Sequence, residues 1–412
     1  MTPLNTKKTM LVAVATIALS ALLIVLSGKT QTKFISLSLL TVCVVVAPVL
    51  FLLLFYLKLL PKLFLSFLAL VYAFYLLELF SRILIPYKTD FDRNISSNAR
   101  KPYPYIQFKG DSAFNQKINY PQKESMPQKG DSEYRIFLLG GSTVTGGSPP
   151  VTAIIQTNFA KAGYSDVHVY NMGVISSNAN MEMARVVYEV IDYKPDLILF
   201  YNGGNDIMMP FNHDPRPGYP YNFCAYEGNV FYDTDNYPAL ALIAYKSNLL
   251  KVLFRNYFTN AFGKKDKLRE QVSYRTELWE NKIANEYVSA ISKTDKIAKA
   301  FGAEFMVFLQ PTVYYKNKCS ANENSYKRTD KPEYKFNNSV RQKILEKINT
   351  AGLTHFTDLT TIYQNDTTEY FIDVIHTNQH GIQIVADRMF ADILNSINIP
   401  KPGTPAPPLP LM

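Results

Sequence analysis

The sequence predicts an α/β domain of three layers, with a mostly parallel sheet of about five strands, preceded by transmembrane helices. Three observations predict it. From residue 134 onward, short β-rich runs alternate with stretches of helical length, the pattern of parallel strands joined by helical crossovers. Glycine- and asparagine-rich turns close several of those runs. Three long apolar runs occupy the first 86 residues. With 47% apolar and 19% charged residues in 412, the chain is neither disordered nor collagen-like nor a heptad repeat.

The apolar runs cover 10–27, 34–57 and 63–85. The first holds 18 uncharged residues, enough for about 27 Å of helix. The second contains Pro48, which bilayer helices tolerate better than soluble ones. The third carries Glu78 and Arg82 near its end, with Tyr72, Phe74, Tyr75 and Phe80 as interfacial aromatics. The further apolar segments and the lack of a small-x-small site disfavour a cleaved signal peptide, and Cys43 lies too deep in the second run for a lipoprotein cysteine. Residues 1–86 therefore read as a membrane anchor of two or three transmembrane helices embedded in the lipid bilayer. Lys7 and Lys8 place the N-terminus in the cytoplasm. Three crossings then deliver the rest of the chain outside, whereas two would leave it inside. Seven basic residues against one acid in this segment account for most of the formal charge of +9. The basic balance thus reflects helix flanks, and no nucleic-acid partner is expected.

Residues 87–133 hold Pro102, Pro104, Pro121 and Pro127 and read as a connecting segment with little regular structure. The α/β domain follows over 134–399. Strands are predicted over 134–139, 167–170, 197–201, 305–309 and 354–358, and helices over 152–162, 180–192, 279–300, 339–351 and 381–396. An aromatic-rich insertion at 207–280 interrupts the alternation. A tail over 400–412 holds too many prolines to pack.

Ligand sites in open parallel sheets lie at the carboxyl ends of the strands. Here those ends carry Ser142, Gly173 and Asn205, while Asp373 and His376 precede the final helix. These are the parts of an acyl-transfer site. A serine hydroxyl is a poor nucleophile at neutral pH and needs an imidazole base, for which His376 is the candidate. Asp373, three residues earlier, can accept from the other ring nitrogen. The Ser142 and Gly173 N–H groups and the Asn205 amide can stabilise an oxyanion. Each piece alone is an ordinary turn; their order and location together carry the reading. Two neighbouring motifs fail. Gly141 and Gly146 have P-loop spacing, but Gly147 stands where the lysine belongs, and Val144 replaces the second glycine of a G-x-S-x-G elbow.

Leu139-Gly140-Gly141-Ser142-Thr143, Asn171-Met172-Gly173, Gly203-Gly204-Asn205-Asp206 and Asp373-x-x-His376 resemble the blocks of the SGNH, or GDSL-like, hydrolase superfamily, which contribute Ser, Gly, Asn and His. Gly141 stands where the name-giving motif has an acid. The resemblance covers about 134–210 and 300–396. It implies a flavodoxin-like α/β/α sandwich and Ser-His-Asp chemistry with no metal or other cofactor, and it does not name a substrate.

The sequence thus points to a membrane-anchored serine esterase acting on acylated cell-envelope glycans or lipids, its catalytic domain outside the cytoplasm. The substrate class follows from location alone. The alternatives are an O-acyltransferase with a membrane acyl-transfer partner, a lipase lidded by the insertion, and a non-catalytic glycan-binding subunit. His213 either touches substrate or is structural; His168 and His355 read as structural, and His380 as a cap of the last helix or a solvated residue. Phe211, Tyr219, Tyr221, Phe223, Tyr226, Phe231, Tyr232 and Tyr237 either stack on sugar rings or anchor the insertion. Residues 264–270 read as a solvated helix face. Gln310 and Pro311 either project toward the site or end a strand. Cys224 and Cys319 either pair or remain thiols.

Overall fold

The computed structural model describes residues 62–89, 97–230, 246–259 and 264–400. The apolar runs over 10–27 and 34–57, Cys43, Phe231, Tyr232, Tyr237 and the tail over 401–412 lie outside the described residues. The chain divides into two compact units, 1–89 with 232–259, and 90–231 with 260–412.

In the first unit the third apolar run forms a 23-residue helix, Lys62–Leu84. Its last third carries the buried Glu78, which accepts from Ser247 Oγ at 2.6 Å and from the Asn248 and Leu249 N–H groups at 2.7 and 2.9 Å. Those donors open the short helix Asn248–Leu253, so a carboxylate meets a helix N-terminus. Arg82, one turn on, closes the ion pair at 2.6 Å. Leu70, Val71, Phe74, Leu77 and Leu84 are exposed. Among the described residues no helix is long and apolar enough to cross a membrane.

The second unit holds a two-stranded antiparallel pair, β1 (Lys101–Tyr103) and β2 (Gln107–Lys109), and a five-stranded sheet. The sheet strands are β3 (Tyr134–Gly140), β4 (Val167–Gly173), β5 (Leu197–Asn202), β6 (Glu304–Leu309) and β7 (Phe356–Asp358). Every pairing is parallel and the order is β4-β3-β5-β6-β7, the flavodoxin-like order. β3 and β5 are buried on both faces, as unbroken apolar runs in a parallel sheet must be. Alternate side chains serve two cores. Phe137, Leu139, Phe200 and Leu309 pack under the helices Ala179–Tyr188, Glu277–Ala300 and Pro332–Ala351. Ile136, Leu138, Leu199 and Phe308 pack under Val151–Lys161 and Gln379–Ser396.

Two expectations need correcting. The segment before β3 is more than a connection: besides β1 and β2 it forms the helix Ser112–Lys117, capped by Asp111, and Phe108, Ile118 and Tyr120 join the first core. Lys109 and Tyr120 both bond Glu189, at 2.6 and 2.5 Å, which ties the segment to the C-terminal end of the helix Ala179–Tyr188. The charged stretch forms the helix Lys264–Gln271, but Lys265 and Leu268 are buried, so only part of it is a solvated face.

Candidate active site

The sheet register aligns Gly140 with Gly173 and with Tyr201, so the turns after β3, β4 and β5 open along one edge. Strand order reverses between β3 and β5, the place where such sheets leave a crevice. Ser142 begins the short helix Ser142–Thr145 after β3, and Asn205 sits in the first turn of the helix Gly204–Asn212 after β5.

The histidine comes from a tight loop closed by an antiparallel bridge between Phe371 and Thr377. Asp373 Oδ1 accepts the N–H groups of Ile375 and His376 at 2.8 and 2.7 Å. Its other oxygen, Oδ2, lies 2.7 Å from His376 Nδ1. This double use of one carboxylate is why the two residues stand three apart. His376 Nε2 lies 2.6 Å from Ser142 Oγ. Burial pushes the Asp373 carboxyl up, but the His376 ring and the two N–H donors outweigh it and hold it below its ordinary value. A permanent carboxylate at Nδ1 leaves Nε2 as the proton acceptor facing the serine.

The loop is held from behind by a buried ion pair. Glu323 accepts the N–H groups of Tyr370 and Phe371 at 2.9 and 3.1 Å and pairs with Lys316 at 2.6 Å. Burial pushes the Glu323 carboxyl up, yet Lys316 and the backbone donors bring it below its usual value. Sequence reasoning missed this clamp, since the capping pattern Ser320-x-x-Glu323 signals only a helix start.

On the oxyanion side, Asn205 Nδ2 donates to the Ser177 carbonyl at 2.8 Å. A Cβ on residue 141 would come within 2.5 Å of that nitrogen, which is the steric reason for a glycine there. Gly173 plays a different part from the one expected. Its N–H donates to Asn171 Oδ1 at 2.9 Å, and a Cβ there would meet Thr145 at 2.6 Å, so the glycine lets the Ser142 helix pack on β4. Among the described residues, the N–H groups of Ser142 and Ser176 have no acceptor. Ser176 is left-handed at φ 64°, lying between Val174, whose N–H reaches Gly140 O, and Ser177.

Two acids support this edge from below. Glu182, fully buried, accepts from Ser177 Oγ at 2.6 Å and from Asn202 Nδ2. Asp206 accepts the Ala179 N–H at 2.9 Å. Burial raises both carboxyls, Asp206 to about 7 with repulsion from Glu182 adding to it. Nothing in the sequence marks Glu182, which reads as one more helix residue.

The other candidates fall elsewhere. His213 packs against Tyr221, ring centres 4.4 Å apart, and does not line the cleft. His380 is exposed beside Tyr370, and Asn378 caps the last helix. Gln310 is buried against Gly204. Cys224 and Cys319 are free thiols and do not pair; burial pushes Cys224 up to about 12. Among the described residues no cluster of three His, Cys, Asp or Glu side chains is placed to hold a metal ion. Ser142 and His376 share a small cleft of about 140 Å³ with Thr143, Gly147, Tyr201 and Ile372.

No protein-family model matches the chain, and no curated protein matches it by sequence. Solved structures similar in fold include an acetyl xylan esterase at 12% identity, covering 63% of this chain and 99% of that one with a TM-score of 0.38. A lipase/acylhydrolase from Enterococcus faecalis is 15% identical over 65% of this chain and 98% of its own, TM-score 0.37. A catalytic mutant of an acetylxylan esterase from Geobacillus stearothermophilus is 13% identical over 65% and 96%, TM-score 0.38. The site itself has the arrangement of a serine hydrolase: a hydroxyl, an imidazole within hydrogen-bond reach, and a carboxylate orienting that imidazole.

Proposed function

We propose that the chain is a membrane-held serine esterase that removes short acyl groups from O-acylated envelope glycans or lipids. The observation that carries this reading is the continuous line Asp373–His376–Ser142, with contacts of 2.7 and 2.6 Å. Ser142 Oγ attacks the ester carbonyl while His376 Nε2 takes its proton. His376 then returns that proton to the departing alkoxide, leaving an acyl-serine. Water, deprotonated by the same nitrogen, releases the acid and frees the serine. The Asn205 amide and the N–H groups of Ser142 and Ser176 stabilise the oxyanion in both steps.

Cleft size supports a short acyl group. A cavity of about 150 Å³ holds a benzene-sized guest, and the space beside Ser142 is about 140 Å³. Membrane attachment is supported by the apolar runs over 10–27 and 34–57 and by the exposed Leu70, Phe74, Leu77 and Leu84 of the Lys62–Leu84 helix.

The test is a series of p-nitrophenyl esters from acetate to octanoate. We expect kcat/KM to peak at acetate or butyrate and to fall about tenfold or more by octanoate, because the longer chain outgrows the cleft. A rate that climbs through octanoate would make the protein a lipase and refute the short-acyl reading.

A further inference from the structure

A second, larger concavity lies on the same unit. It is a groove of about 770 Å³ walled by Tyr103, Tyr105 and Gln107 of the β1–β2 hairpin on one side and by Asn180, Tyr219 and Phe223 on the other. Its tyrosines are not loosely hung. Tyr105, 74% exposed, stacks on Tyr188 with ring centres 4.2 Å apart and planes 14° apart. The Arg216 guanidinium lies 3.8 Å from the centre of the Tyr219 ring and is itself fixed by Asp214 at 2.6 Å. Lys109 Nζ stands 4.9 Å from the centre of the Tyr103 ring and is fixed by Glu189 at 2.6 Å. Each ring is thus backed on one face and held still, and all three stay partly open to solvent.

Two further features select the occupant. None of the lining side chains carries a charge, so nothing compensates the desolvation of a charged polymer. Asn180 and Gln107 add amides to the lining: Asn180 Nδ2 donates to the Gly218 carbonyl at 3.1 Å, and Gln107 Oε1 has no hydrogen-bond partner among the described residues. Flat rings interspersed with amides match the alternating C–H faces and hydroxyl edges of sugar rings. The groove and the catalytic cleft share no lining residue, but one short stretch of chain serves both sites. Ser177, whose carbonyl holds the Asn205 amide, is three residues from Asn180, at most about 11 Å between Cα atoms.

We propose that this groove binds a neutral glycan chain and leads its O-acyl ester to Ser142. The inference rests on the esterase reading and supplies its substrate class. The full-length Ser142→Ala protein in nanodiscs is titrated calorimetrically with xylohexaose, cellohexaose and chitohexaose. At least one binds, and adding Tyr105→Ala or Tyr219→Ala raises its dissociation constant about tenfold, whereas Tyr105→Phe leaves it near the parent value. No binding by any of the three up to about 10 mM, or binding indifferent to both tyrosines, overturns the proposal. So does tyrosine-dependent binding of monomeric dihexanoylphosphatidylcholine with none of a hexaose, which makes the groove a lipid site. Fluorophosphonate labelling of the wild-type protein separates the two readings: an unlabelled Ser142 with intact hexaose binding would sink the esterase and leave the groove.

Discussion

Replacing Glu323 with glutamine removes one charge and almost no volume. Glu323 is 0% and Lys316 1% exposed, so the substitution leaves a buried ammonium group with the Thr368 carbonyl but no counter-charge. Breaking a buried pair by removing one partner costs about 3–5 kcal/mol. Glutamine keeps a neutral acceptor for the Tyr370 and Phe371 N–H groups, which places the expected loss near the lower end, about 3 kcal/mol. For a unit of this size that lowers the unfolding midpoint by roughly 6 °C. Activity falls as well, because those two N–H groups begin the loop that carries His376; a misplacement of about 1 Å costs on the order of 10²-fold in rate. Thermal unfolding and kcat on p-nitrophenyl acetate measure both effects. Adding Lys316→Met removes the uncompensated charge and recovers most of the stability. A Glu323→Gln protein with wild-type midpoint and wild-type kcat would refute the clamp.

Other expectations follow from single contacts. Gly141→Ala pushes a Cβ against the Asn205 amide and lowers kcat by about 10²–10³-fold with little change in KM, matching Asn205→Ala; the double variant is no worse than either, and additive losses would contradict the contact. Asp206 titrates near 7 in the fold and near 3.9 unfolded, so between those values the fold holds a proton that the unfolded chain has released. Its contribution is full below about pH 4 and is lost by about pH 7, at roughly 1.4 kcal/mol per unit. Urea unfolding across that window should show the slope in the wild type and a flatter profile in Asp206→Asn; identical profiles would refute it.

The strands were the most legible part of the chain. Residues 134–140 and 197–202 are apolar runs that only a sheet covered on both faces buries, and they form its centre as β3 and β5. Ser142, Asp373 and His376 were legible because the chemistry demands those side-chain types, and the structure brings them into one line. The oxyanion side was harder. That Asn171 folds back onto the Gly173 N–H, or that Ser176 turns left-handed, leaves no mark in composition or spacing. The Lys316–Glu323 clamp depends on contact with Tyr370, 47 residues away in the chain. The segment before β3 contributes isolated apolar residues such as Phe108 and Tyr120, too sparse for a period, and its prolines suggest a linker.

Labelling with a fluorophosphonate probe, followed by mass spectrometry of the modified peptide, tests the hydrolytic site most directly. The probe phosphonylates only a serine whose proton a neighbouring base removes. The account predicts one adduct, on Ser142, abolished in Ser142→Ala and reduced by about 10³-fold or more in His376→Ala. No adduct on the folded wild-type protein, or an undiminished adduct in Ser142→Ala, would contradict it.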